Sequence, residues 1–178
     1  MKKKMPAWVI LLLITLISGL LLGITDYVTR DKIAEAAIQA ANESRIAVSP
    51  GADSFKELVV SNSDSVDNYY SAYNGQELIG YTSQTTVQGY GGEIEVIVGM
   101  NLKGVITGIS VGGPNFAETA GLGADTKKPE FRDQFIGKTV PLVLKDNIDS
   151  VSGASISSGA VTDAVNICVN YMIKKAGI

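Results

Sequence analysis

The chain has 178 residues, a net charge of −3, one cysteine and no histidine. The missing histidine excludes a Ser-His-Asp triad, His-ligated haem and His-containing zinc sites, and one cysteine can neither close an intrachain disulfide nor hold an iron–sulfur cluster alone. The negative charge gives no basic field for nucleic acid. We therefore predict no metal site and no nucleic-acid partner, and any redox chemistry would need an organic cofactor.

The N-terminal segment predicts a membrane anchor over residues 1–25. Residues 7–24 are an 18-residue run without charge, which as a helix would span roughly 27 Å, enough for a bilayer core. Lysines at positions 2–4 precede the run and Asp26 follows it, which predicts a single pass through the cell membrane with a cytoplasmic N-terminus and an extracytoplasmic C-terminal domain. The alternative is a cleaved signal peptide, but its apolar region is usually shorter and no Ala-x-Ala site follows closely. Because one helix forms no pore, a transport role would require partner subunits.

Residues 26–50 are rich in alanine and charge, and they predict a juxtamembrane helical stalk. An ordinary first helix of the following domain is an equally good interpretation. Residues 49–53 contain Pro50-Gly51 and should end this helix. Beyond it, residues 55–60 fit a short strand or a short helix, and residues 61–67 are polar and typical of a turn.

The middle of the chain predicts two β-hairpins. Asn74-Gly75, a strong turn signal, separates residues 67–73 from residues 77–86. Residues 93–100 and 105–111 flank a second turn. Along the third predicted strand, alternation places one apolar set inward, namely Ile94, Val96 and Val98, opposite Glu93, Glu95 and Ile97.

The segments after the second hairpin are less regular. Residues 112–125 are rich in glycine and have no period, as in long functional or mobile loops. Residues 129–135 predict a short helix with Phe131 and Phe135 four positions apart, and residues 141–144 predict a short apolar strand. The fold class predicted is α+β, with an N-terminal transmembrane helix followed by one domain, residues 51–178, that holds an antiparallel β-sheet and flanking helices.

The C-terminal segment, residues 159–175, predicts an amphipathic helix. Its apolar face consists of Val161, Ala164, Val165, Cys168 and Met172. Ser157 or Ser158 is predicted to cap the N-terminus, and Lys174-Lys175 suits the C-terminal end of the helix dipole. A serine-rich stretch, residues 149–158, thus leads into a helix N-terminus, which is a ready anion site. The alternative is that these serines only cap the helix and form turns.

The same stretch carries the motif Asp-x-x-Ser-Gly-Ala-Ser over residues 149–155. It resembles the flavinylation signature Asp-x-x-(Ser/Thr)-Gly-Ala-(Thr/Ser) of the FMN-binding domain family, whose members include the G subunit of the Rnf-type ferredoxin–NAD oxidoreductase and the C subunit of the sodium-pumping NADH–quinone oxidoreductase. The resemblance implies that a flavin transferase, with FAD as donor, joins FMN through its phosphate to the hydroxyl of Ser155. The family usually has threonine there, and serine offers the same nucleophilic oxygen. The surrounding candidates for the cofactor site are Asp149, Ser152, Gly153, Ala154, Ser157 and Ser158.

A second segment supports the same resemblance. Residues 118–123, Glu-Thr-Ala-Gly-Leu-Gly, resemble the Glu-Thr-Pro-Gly-Leu-Gly segment that lies near the flavin in this family. The resemblance implies that Glu118, Thr119, Gly121 and Leu122 form the isoalloxazine pocket. Thr119 could hydrogen-bond the ring edge and Leu122 could cover a face. Glu118 could equally be a structural carboxylate that pairs loop N–H groups.

Taken together, the resemblance implies a membrane-anchored covalent flavoprotein that carries electrons within an Rnf-type complex pumping Na⁺ or H⁺, and that is not catalytic alone. Its partners would be other membrane subunits and, transiently, the flavin transferase. The short chain favours the Rnf-type assembly over the quinone-reducing one. An interpretation of another class stays open, namely a membrane-tethered extracytoplasmic binding or assembly module without a cofactor. A serine hydrolase at Ser155 is disfavoured by the missing histidine.

Overall fold

One continuous helix, α1 (Ala7–Val48), contains both the apolar run and the alanine-rich segment that follows it. The structure is a computed structural model that describes residues 6–60 and 65–178. The lysines predicted to set the cytoplasmic N-terminus, and residues 61–64 of the predicted turn, lie outside the described residues. Helix α1 is long and apolar enough to cross a membrane, by length and composition. The chain packs as two units, one up to Ala40 and one from Ala41 to Ile178.

The second unit is built on a five-stranded antiparallel sheet in which each strand pairs with the next along the chain. Both predicted hairpins are confirmed, and residues 55–60, left open between strand and helix, contribute to the first strand. At the first hairpin, Gly75 adopts a positive φ of 59° and donates its N–H to the Asp53 carboxylate. The strands are β1 (Ser54–Glu57), β2 (Asn68–Asn74), β3 (Glu77–Gln88), β4 (Glu93–Asn101) and β5 (Ile106–Gly112).

The chain after the glycine-rich loop is helical, which confirms the short helix predicted over residues 129–135. A 3-10 helix (Gly123–Lys127) ends the loop, and α2 (Pro129–Arg132) leads into a second 3-10 helix (Asp133–Phe135). The rings of Phe131 and Phe135 meet edge to face at 5.4 Å. This contact anchors the segment to the core, in which both side chains are buried.

The C-terminal helix, α3 (Ser155–Ala176), packs against the sheet and forms the main core. The predicted apolar face is confirmed, because all five of its side chains are fully buried. It contacts the inward side chains of β4, including Ile94, Val96 and Val98. The helix ends at Gly177, whose left-handed φ of 72° is the usual glycine C-cap.

The opposite face of the sheet is covered by the last turns of α1, which belong to the second unit. Thr107 donates its hydroxyl to the Val48 carbonyl at 2.6 Å, and a Cβ at Gly99 would collide with that same carbonyl. The Arg45 guanidinium lies 4.1 Å over the Tyr70 ring. This cover explains why Ile97 is buried, although alternation placed it away from the core.

The strand predicted over residues 141–144 is wrong. Only one isolated bridge, between Leu144 and Ile148, forms there. The side-chain amide of Asn166 takes the place of a strand partner, since it accepts the Leu142 N–H at 2.9 Å and donates to the Leu142 carbonyl at 2.8 Å. The segment is therefore held to α3 by one side chain rather than to the sheet by a ladder.

Candidate flavin site

The first turn of α3 contains Ser157 and Ser158 instead of being capped by them, so the predicted N-cap is wrong. The helix begins at Ser155, and the N-cap residue is Ala154, which offers no side-chain acceptor. Ser157 and Ser158 face inward, with exposures of 1% and 0%. The Ser158 hydroxyl accepts the Val151 N–H at 3.0 Å, which holds the preceding loop against the helix.

The outward side of the same turn is open. Ser155 is exposed, as are Ser152 and Gly153 before it. Within the described residues, the Ser155 hydroxyl makes no hydrogen bond. The first N–H groups of an α-helix have no carbonyl partner within the helix and carry its positive dipole end. An unengaged hydroxyl therefore stands where a phosphate would be stabilised.

Glu118, in the glycine-rich loop, connects that loop to residues 90–91 and to the first turn of α3. One carboxylate oxygen accepts the backbone N–H groups of Tyr90 at 2.7 Å and Gly91 at 3.1 Å. The other oxygen accepts the hydroxyl of Ser157 at 2.9 Å. These contacts favour the structural-carboxylate interpretation of Glu118. A Cβ at Gly123 would collide with the same carboxylate, so only glycine leaves room for this junction.

A pocket of about 310 Å³ lies between the two segments that carry the family resemblance. Its size is at the lower end of small-molecule sites. From the predicted candidates it brings together Glu118, Thr119, Leu122, Gly153, Ala154, Ser155 and Ser157. The remaining candidates, Asp149, Ser152, Gly121 and Ser158, do not line it.

Three residues of the pocket wall were not predicted, namely Tyr90, Gly123 and Ile156. Two of them left a signal in the sequence. Tyr90 is the one large side chain in the turn Gly89-Tyr90-Gly91-Gly92, and Ile156 is an apolar residue outside the apolar face of α3. Both are exposed, at 74% and 61%.

Asp149 lies on a neighbouring cavity of about 330 Å³, together with Asp125, Lys128 and Gln134. The Gln134 side chain accepts the Asp149 N–H at 2.8 Å and donates to the Asp149 carbonyl at 3.4 Å. The backbone of Asp149 is thus fixed while the residue stays exposed. This places Asp149 within reach of an approaching protein rather than in the pocket of Ser155.

The residues of the pocket fit a flavin nucleotide. Leu122 and Ile156 offer apolar surface, Thr119 offers a hydroxyl, and Ser155 stands at the helix N-terminus for a phosphate. At Gly153 a Cβ would come within 3.0 Å of Leu122, so glycine keeps the passage between the two segments open. Gly153 also holds a φ of 74°, which other residues adopt only with strain.

Comparisons with known proteins identify the relatives of this chain. Residues 89–170 match the family model of the FMN-binding domain. The G subunit of the proton-translocating ferredoxin:NAD(+) oxidoreductase complex of Clostridium ljungdahlii is 32% identical over 168 residues, which cover 90% of this chain and 87% of the relative. The Na(+)-translocating counterpart of Acetobacterium woodii is 32% identical over 183 residues with the same coverage. The G subunit of the ion-translocating oxidoreductase complex of Methanosarcina acetivorans is 30% identical over 179 residues, covering 95% and 94%.

A solved structure supports the fold. The crystal structure of the C subunit of the Na(+)-translocating NADH-quinone reductase from Parabacteroides distasonis superposes with a TM-score of 0.56 at 18% identity, covering 71% of this chain and 79% of that chain. At this identity the likeness concerns the fold alone. Together with the relatives above, this structure confirms the predicted family and the α+β fold class. The chain belongs to the family of G subunits of ion-translocating oxidoreductase complexes and carries an FMN-binding domain.

Proposed function

We propose that this chain is a membrane-anchored electron-transfer subunit of an ion-translocating ferredoxin–NAD oxidoreductase complex, with FMN bonded through its phosphate to the Ser155 hydroxyl oxygen. One observation carries the proposal. Ser155 has an exposed hydroxyl at the N-terminus of α3, without a hydrogen-bond partner among residues 6–60 and 65–178, in the pocket shared by both family segments. The other two serines of that turn are buried and hydrogen-bonded.

The attachment is a transfer from FAD by a flavin transferase. The Ser155 oxygen forms a bond to the phosphorus on the riboflavin side of the FAD pyrophosphate. The bond from that phosphorus to the AMP oxygen breaks, AMP leaves with the electron pair, and the serine proton passes to a base of the transferase. Asp149 and Ser152 belong to the same motif and are exposed, so the enzyme can read them directly. The helix N-terminus then stabilises the negative phosphodiester.

Apart from the Ser155 oxygen, the chain's residues would hold the flavin rather than react with it. Leu122 and Thr119 are placed to cover and hydrogen-bond the ring, while Glu118 keeps the pocket segments together. The flavin supplies chemistry that no side chain here can, because it accepts one or two electrons. A covalent bond prevents diffusive loss, so weak contacts to the ring suffice.

The proposed membrane topology rests on the charges that flank the apolar run in the sequence. We place the N-terminus in the cytoplasm and the unit from Ala41 to Ile178 outside, because lysines precede the apolar run and Asp26 follows it. One helix forms no ion path, so other membrane subunits provide it. The coupling ion is not set by resemblance, since relatives described as proton-translocating and Na(+)-translocating are equally similar, at 32% identity.

The test is to produce the full chain with and without a flavin transferase and to examine the denatured band for flavin fluorescence. Fluorescence that survives denaturation, and only after co-production, supports the proposal. Flavin colour that is lost on denaturation would show a non-covalent site. A colourless protein after co-production would instead support the second candidate, a tethered binding or assembly module, which the exposed rim of Tyr90 and Ile156 would also suit.

The orientation needs a separate test. An enzyme reporter that is active only outside the cytoplasm, fused after Ile178, should be active in intact cells. A matched fusion before the apolar run should be inactive. The reverse pattern would contradict the proposed topology and leave the flavin proposal intact.

A further inference from the structure

Tyr90 is an exposed aromatic side chain for which the described part of the fold supplies no side-chain partner. The residue is 74% exposed although it lines the pocket of Ser155. Within the described residues, neither a ring contact nor a cation–π contact involves Tyr90, whereas Tyr69, Tyr70, Tyr81 and Tyr171 each have at least one. Aromatic side chains bury large areas when they bind, so a solitary one at a pocket mouth points to the pocket's occupant.

The backbone beneath this ring is rigidly held. The N–H groups of Tyr90 and Gly91 both donate to Glu118, and the Gly89 N–H donates to the Gly92 carbonyl at 2.8 Å. A Cβ at Gly89 would collide with the Glu118 carboxylate, so the turn is packed tightly against the loop. A rigidly held backbone lowers the entropic cost of placing the Tyr90 ring against a ligand.

The same carboxylate fixes Tyr90 relative to the attachment residue. Glu118 binds the Tyr90 N–H through one oxygen and the Ser157 hydroxyl through the other. Ser157 is two positions after Ser155 on the first turn of α3. The aromatic ring and the proposed anchor oxygen are therefore positioned from one common point.

The same pocket is also lined by aliphatic side chains. Leu122 and Ile156 line it and are exposed. Ile156 directly follows Ser155, so apolar surface begins one residue from the anchor. A flat aromatic group tethered at Ser155 would find both aromatic and aliphatic surface in this pocket.

From this arrangement we infer that Tyr90 stacks on the isoalloxazine ring and shields it from water. The inference rests on the proposed function, which supplies the flavin at Ser155, and adds a ring-contacting residue outside both family segments. Offset stacking of aromatic rings adds to the gain from buried area. Tyr90 would thereby set how far solvent reaches the ring.

The test uses the full chain matured with its transferase, in detergent. Tyr90→Ala, Tyr90→Phe and the control Tyr27→Ala are compared by flavin fluorescence yield and by quenching with iodide at fixed ionic strength. Tyr27 is an 81% exposed tyrosine outside the pocket. A stacked tyrosine quenches an excited flavin by donating an electron that then returns, whereas phenylalanine is a poor donor.

We expect Tyr90→Ala to raise both the fluorescence yield and the iodide quenching constant severalfold. Tyr90→Phe should raise the yield but keep the quenching constant near that of the unsubstituted chain, because shielding needs only the ring. Tyr27→Ala should change neither. If Tyr90→Ala does not mature, Tyr90→Leu replaces it in the same comparison with Tyr90→Phe.

Covalent flavin with equal yield and equal iodide access in all Tyr90 variants would overturn this inference and leave the proposed function standing. Absence of flavin from the unsubstituted chain would overturn the proposed function, and the role of Tyr90 would fall with it. The two failures are distinguished by the flavin content of the unsubstituted chain.

Discussion

The outward and inward sides of the first turn of α3 use the same residue type in opposite ways. Ser155 points outward, exposed and without a hydrogen-bond partner in the described part of the chain. Ser157 and Ser158 point inward, buried, and each fixes a neighbouring segment through its hydroxyl. The difference teaches that burial and pairing, not residue identity, separate a hydroxyl available for modification from one used to build the site.

The largest effect expected from this comparison is at the outward side. Ser155→Ala should abolish covalent flavin and change the free energy of unfolding by less than about 0.5 kcal/mol, because it removes only an exposed hydroxyl. Ser155→Thr should retain flavin, since the oxygen is kept. In-gel flavin fluorescence and urea unfolding measure the two effects.

The matched control is Ser150→Ala, which removes a serine from the same stretch at a position that the motif leaves free. It should load flavin normally. Full flavin on Ser155→Ala would show that the outward side is not the modified one.

The next effect concerns the carboxylate that joins the two sides. Glu118→Ala should lower the free energy of unfolding by about 2 kcal/mol, because it leaves two backbone N–H groups and the buried Ser157 hydroxyl without their acceptor. Glu118→Gln should cost less, since its carbonyl still accepts the backbone N–H groups. Urea unfolding of the full chain in detergent measures both, and equal losses for the two variants would contradict the account of this junction.

A smaller effect is expected at the inward side. Ser158→Ala should cost about 1 kcal/mol, since the Val151 N–H loses its acceptor. It should leave the Ser155 hydroxyl in place, so covalent flavin should still form. Flavin loss without any loss of stability would reverse the roles assigned to the two sides.

A final effect tests how dry the core is under the C-terminal part of α3, where the Tyr69 ring packs against Tyr171. Burial, with smaller contributions from Tyr81 and Tyr171, raises the pKa of Tyr69 to about 12 from 10.0. The Tyr69 hydroxyl ionises at a lower pH in the unfolded chain than in the folded one. Its contribution to the free energy of unfolding is therefore fully present below pH 10 and is lost as the pH rises towards 12. Tyr69→Phe should flatten that alkaline decline in urea unfolding, whereas Tyr27→Phe should not.

Part of the decline should remain in Tyr69→Phe. Burial also raises the pKa of the Cys168 thiol to about 12 from 9.0. Ionisation of this thiol therefore also lowers the free energy of unfolding as the pH rises, over a pH range that overlaps that of Tyr69. An unchanged alkaline slope in Tyr69→Phe would contradict the burial of this hydroxyl.

Local signals predicted the elements that depend on near neighbours. Asn74-Gly75 located the first hairpin, and the apolar spacing of residues 161–172 located the buried face of α3. The N-cap failed because the Ser157 hydroxyl is taken by Glu118, 39 residues away in the chain. The strand at residues 141–144 failed because Asn166 of α3 satisfies Leu142. Capping preferences and apolar runs carry no information on such distant partners.

The candidate site shows the same division between local signals, which the sequence reveals, and distant contacts, which it does not. The motif resemblance found the two segments that the fold brings to one pocket, including Thr119, Leu122 and Ser155. It did not find Tyr90, whose place at the pocket depends on the carboxylate of Glu118 and not on any motif of its own.

The most direct measurement is a mass spectrum of the tryptic peptide that spans residues 146–174, taken from the full chain matured with its transferase. The account predicts that this peptide is heavier by one FMN less one water, and that fragmentation places the addition on Ser155. A peptide of unmodified mass, or an addition on another serine, would contradict the account.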